Sequence, residues 1–83
     1  MTIVNATTTH IHPISNRERE IVELLAQGYT GEQIADRLFI SSETVKTHVR
    51  NAMTKLDAKT RVHAITIALS AGYIAPPEVL LAA

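Results

Sequence analysis

A chain of 83 residues suits one domain and no more, and hides so modest a share of its surface that one small core must serve. It has no cysteine, which excludes disulfides and cysteine-bearing zinc sites, and its eight basic residues balance eight acidic ones. It has neither an apolar run long enough to span a membrane nor a basic start followed by an apolar stretch, so a cytoplasmic chain without membrane contact is the expectation.

Residues 1–13 are rich in threonine and show no period, which reads as an arm or linker ahead of the domain. His10 and His12 have no third ligand nearby and read as surface residues, so no metal or other cofactor is expected. A first helix starts at Ser15, where Ser15-x-x-Glu18 forms a capping box. Ile21, Leu24 and Leu25 give it an apolar stripe, while Arg17, Arg19, Glu20 and Glu23 make a solvated face. Gly28 ends it, because glycine takes the left-handed stop cheaply.

A second helix starts at Thr30, where Thr30-x-x-Gln33 repeats the capping box. Ile34 and Leu38 face inward. Ala35 between them is either a seat for a closely crossing helix or simply a good helix former. Phe39, Ile40 and Ser41 make the connection to the next helix. The connection holds no Gly or Pro, so burial of Phe39 and Ile40 is expected to hold it tight.

The third helix, about residues 42–56, carries the strongest pattern. Ser41 or Ser42 caps it, and Glu43 sits in its first turn, where negative charge is favoured. Val45, Val49, Ala52, Met53 and Leu56 recur at steps of three and four and predict one buried stripe. Lys46, Thr47, Arg50, Asn51 and Thr54 fall opposite. Solvated faces usually mix signs, yet Thr44 to Leu56 contains no acidic residue. Three basic residues face five acidic ones between Arg17 and Arg37, whereas five face two between Ser41 and Arg61. Positive charge is thus concentrated on the second half of a helix-turn-helix pattern, whose second helix enters the DNA major groove. Lys46, Thr47 and Arg50 have the length and hydrogen-bonding groups to reach base edges there.

Asp57 tolerates the left-handed conformation that breaks the pattern, and Thr60 caps a fourth helix that Gly72 ends. Ala64, Ile65 and Ala68 predict its core stripe. His63, Ile67, Ser70 and Ala71 occupy another face, leaving more apolar surface than one core contact requires and suggesting a partner. Pro76 and Pro77 prevent continuation, so 75–83 reads as a tail.

Arg17-Glu18-Arg19-Glu20, Gly28, Glu32-Gln33-Ile34-Ala35, Ile40-Ser41, Thr44-Val45-Lys46-Thr47-His48-Val49, Asn51, Lys55-Leu56, Arg61 and Ala64 together resemble the LuxR-type DNA-binding domain, also called the GerE or NarL/FixJ type. The resemblance covers residues 14–74 and implies an all-α, four-helix domain whose third helix lies in the major groove and whose fourth pairs two copies. It implies DNA base contacts by Lys46, Thr47, Arg50 and Asn51 and phosphate contacts by Thr30, Ser42, Thr44, Lys55 and Arg61. It implies a dimer interface at His63, Ile67, Ser70 and Ala71. The implied partners are double-stranded DNA, a second copy and RNA polymerase. Asn16 stands where the family often has proline and Asp57 where it often has glycine.

The expected function is a sequence-specific, double-stranded-DNA-binding transcriptional regulator rather than an enzyme. Two alternatives remain at this level. A sigma-factor-like promoter-reading module is opposed by the fourth helix with Arg61 and Ala64. A protein-interaction module that has lost DNA binding is motivated by the zero net charge.

Overall fold

A computed structural model describes residues 13–76, which form four α-helices: α1 (Asn16–Ala26), α2 (Gly31–Leu38), α3 (Ser42–Lys55) and α4 (Arg61–Ser70). His10 and His12 lie outside the described residues, as does the tail from Pro77 onward.

Each helix starts on a hydroxyl. The backbone N–H groups of Glu18, Gln33, Thr44 and His63 donate to Ser15 Oγ, Thr30 Oγ1, Ser41 Oγ and Thr60 Oγ1 at 3.0–3.1 Å. The two expected capping boxes close: the Ser15 N–H donates to Glu18 Oε1 and the Thr30 N–H to Gln33 Oε1, both at 2.9 Å. Ahead of α4, the Lys59 N–H donates to His63 Nδ1 at 3.1 Å, so His63 turns one ring nitrogen back onto the backbone.

The helix ends follow one rule as well. A residue of positive φ closes each helix: Gly28 (98°), Phe39 (58°), Asp57 (56°) and Gly72 (79°). The next N–H then reaches back five residues, from Tyr29 to Leu24, Ile40 to Ala35, Ala58 to Met53 and Tyr73 to Ala68. This is the Schellman arrangement, whose following residue makes an apolar contact with the helix it ends. Tyr29, Ile40, Ala58 and Tyr73 all pack against the core.

That geometry overturns one expectation. Phe39 is not buried; it is 93% exposed. The left-handed residue turns the chain so that its successor, here the half-buried Ile40, points inward. The turn is held by the α2 end bonds, the Ser41 cap and the packing of Ile40.

Two apolar clusters make the core. One joins Ile21, Ile34, Ala35, Val45 and Val49 and holds α2 and α3 against α1. The other joins Val22, Ala52, Leu56, Ala64, Ala68 and Ile74 and holds α4 against α1 and α3. The neighbours Ile21 and Val22 thus serve different clusters, and Met53 packs against both. Ala35 is buried where α2 meets α3, which favours the close-crossing role over mere helix propensity. α1 and α3 each pack on all the other helices, whereas α2 and α4 do not touch.

Candidate nucleic-acid interface

With Val45, Val49, Ala52 and Leu56 buried, the helical period forces Lys46, Thr47, Arg50, Asn51 and Thr54 outward, and all five are exposed. They form one surface along α3 that carries no acidic residue beyond Glu43 in its first turn. Thr47 Oγ1 donates to the Glu43 carbonyl and Thr54 Oγ1 to the Arg50 carbonyl, each at 3.1 Å. Each hydroxyl proton is therefore engaged, which leaves its oxygen as an acceptor. Lys46 Nζ lies 3.7 Å from Glu43 Oε2 in an exposed pair of the kind that contributes little and exchanges readily.

The first turn of this surface opens onto a groove of about 220 Å³ lined by Thr30, Gly31, Glu32, Ser42, Lys46 and Arg61. Four residues that the resemblance placed at the interface, Thr30, Ser42, Lys46 and Arg61, are brought together here from three helix starts. Thr44 is exposed on the same turn of α3, its hydroxyl 2.9 Å from Ser41 Oγ. Two helix starts, an ammonium and a guanidinium converging on one groove make a seat for an anion such as a phosphate.

Lys55 does not belong to that surface. Its ammonium donates to both carboxylate oxygens of Glu18, at 2.9 and 3.1 Å. Glu18 is buried at 4% exposure and accepts the Ser15 N–H as well. Burial pushes its carboxyl pKa up, but the Ser15 N–H and the Lys55 ammonium outweigh this and hold it below the ordinary value. Lys55, expected at a phosphate, is engaged here by Glu18 and links the start of α1 to the end of α3. Sequence reasoning saw in Glu18 only a capping residue. The cue that could have found the clamp was an acidic residue beside the apolar stripe, with no oppositely charged neighbour left over within its own helix.

Arg37 is likewise engaged, its guanidinium 4.5 Å from the centre of the Tyr29 ring. Arg50 and Arg61 have no ion-pair partner among the described residues. His48 is half-buried on α3, with Nδ1 lacking a hydrogen-bond partner among the described residues. Among those residues no group of three His, Asp or Glu side chains could hold a metal, and no helix is long and apolar enough to cross a membrane.

On α4, His63 and Ser70 are exposed, as is Ala71 just past its end, while Ile67 is half-buried against the core. Val62 is the exposed large apolar residue of α4, at 71%.

Helix order and capping define a helix-turn-helix domain. The model of the family described as "Bacterial regulatory proteins, luxR family" matches residues 12–68, and the chain belongs to that family of DNA-binding transcription regulators. It is 48% identical over 59 residues to the spore germination protein GerE of Bacillus subtilis, covering 71% of this chain and 80% of that one. It is 45% identical over 56 residues to the oxygen regulatory protein NreC of Staphylococcus haemolyticus, covering 68% of this chain but only 26% of the relative. The solved structure of the transcription factor GerE superposes with a TM-score of 0.71 at 38% identity, over 74% of this chain and 91% of that one. A Vibrio cholerae VqmA dimer solved without its target DNA superposes with a TM-score of 0.70 at 28% identity, over 82% of this chain and 32% of that one. The chain thus spans most of GerE and about a quarter to a third of the longer relatives.

Proposed function

We propose that this chain works in the bacterial cytoplasm as a dimer that reads a two-fold site in double-stranded DNA. The observation that carries the reading is the outer face of α3, free of acidic residues from Thr44 onward, opening onto a groove that holds Lys46 and Arg61. Lys46, Thr47, Arg50 and Asn51 reach base edges in the major groove, and Arg50, free of any ion pair among the described residues, is the strongest candidate for a bidentate contact. Thr30, Ser42, Thr44 and Arg61 hold phosphates and set register. Lys55 leaves the phosphate set because its ammonium is occupied.

The dimer reading rests on α4. Its buried side chains are alanines, so its larger apolar residues Val62, Ile65, Ile67 and Leu69 are left exposed or half-buried. A second copy would cover His63, Ile67, Ser70 and Ala71, with Val62 at the edge. The VqmA relative, itself a dimer, is in keeping with this. RNA polymerase is a further partner of a transcription regulator in this reading, and no enzymatic step is assigned.

Selection from a random duplex pool, followed by sequencing, tests the whole reading. The expected result is a two-fold motif with half-sites about one helical turn apart. An unpaired half-site would overturn the dimer, and absence of any enriched sequence would overturn specific recognition.

A further inference from the structure

The groove contains a residue that phosphate binding does not call for. Glu32, exposed in the first turn of α2, lines it together with Lys46 and Arg61. Its carboxylate makes no ion pair with either cation within 4.0 Å, and Lys46 leans instead toward Glu43. Glu32 is therefore not held there by a structural pair. A phosphate seated between Lys46 and Arg61 in a space of about 220 Å³ would lie close to a second negative charge.

We propose that Glu32 is a built-in counter-charge of the phosphate seat, which weakens DNA binding evenly across sequences. This rests on the DNA reading above. A carboxylate facing the backbone carries no base information, so its effect falls alike on target and random duplex. It lowers the time spent on non-target DNA and leaves the ratio between the two affinities unchanged. A rival role exists, since an acidic residue in a first turn also favours the helix. That role would appear in thermal stability and not in DNA affinity.

The test measures binding of a selected duplex and a random duplex by fluorescence anisotropy across a salt series, for the parent, Glu32→Gln and Glu20→Gln. Glu20 is an exposed acid on α1 outside the groove and controls for net charge. Glu32→Gln should tighten both duplexes by about threefold to tenfold at low salt, with the gain fading as salt screens the seat. Glu20→Gln should stay within about twofold of the parent. Equal gains in the two variants would reduce the effect to net charge and overturn the proposal. So would an unchanged Glu32→Gln, or one that binds only the selected duplex more weakly, which would make Glu32 a base reader. A parent that binds neither duplex at low salt would overturn the DNA reading itself, and this proposal with it.

Discussion

The two halves of the core are built from different side chains. Around α2 and the front of α3, the buried residues are mostly large and β-branched: Ile21, Ile34, Val45 and Val49. Around α4 half of them are alanines, Ala52, Ala64 and Ala68, set among Val22, Leu56 and Ile74. Branched side chains have few rotamers and lock the helices they join, which suits a helix that must present four side chains in fixed register. Alanines let helices approach closely but bury little area each. α4 consequently keeps apolar residues half out of the core, where another copy can use them.

The contrast can be broken most sharply at the large side chains. Ile34 is fully buried, and Ile34→Ala should lower unfolding free energy by about 3 kcal/mol, with the loss growing if the site cannot collapse. In a chain this small that is a large part of the total. A chemical denaturation curve measures it. A cost under about 1 kcal/mol would mean that the first cluster closes around the lost side chain and is not locked by it.

The Glu18–Lys55 clamp comes next. Lys55→Ala strands a buried carboxylate and should cost about 2 kcal/mol at neutral pH. Glu18→Gln, which leaves an ammonium about one-third exposed, should cost less. The sign with pH follows from the lowered carboxyl pKa. The clamp's stabilisation is present above the ordinary carboxylate range and is lost as pH falls through the folded-state value. The gap between parent and Lys55→Ala should therefore close in acid. A gap that holds steady to low pH would show that Lys55 acts through its alkyl chain. The same variant should leave the salt dependence of DNA binding unchanged, because Lys55 faces Glu18.

The exposed face of α3 should behave oppositely to its buried face. Arg50→Ala should leave stability within about 0.5 kcal/mol. It should cost about 1–3 kcal/mol of DNA affinity, concentrated at one base position. An equal loss on every sequence would make Arg50 a phosphate contact.

Much of this was visible in the residues because it depends on local rules. The Ser15, Thr30 and Thr60 caps, the Gly28 and Gly72 stops and the α3 stripe each rest on a pattern a few residues long. Asp57 in the left-handed region was read the same way, from side-chain type alone. What escaped depended on distant parts of the chain. The Glu18–Lys55 pair spans 37 positions, and Ile74 is buried only because the chain after Gly72 folds back onto α4. Among the interface residues, the periodicity of α3 separated the reading face from the core, but no local rule could place Arg61 beside Lys46 in one groove.

Phe39 shows the opposite failure, a local rule applied too directly. An apolar residue in a turn suggests burial, although the helix stop it occupies points its side chain at solvent. The correction yields the smallest effect of the set. A non-glycine residue in the left-handed region costs about 1 kcal/mol, and an almost fully exposed ring recovers little of that by burial. Phe39→Gly should raise stability by about 0.5 kcal/mol, the relief exceeding the added freedom of the unfolded chain. Gly28→Ala is the mirror experiment. No atom lies within 4 Å of the position an added Cβ would take, so its loss of about 1 kcal/mol would be conformational alone. Thermal melts of the two variants should move in opposite directions by a few degrees. If Phe39→Gly melts lower than the parent, the ring makes a stabilising contact that the folded monomer does not show.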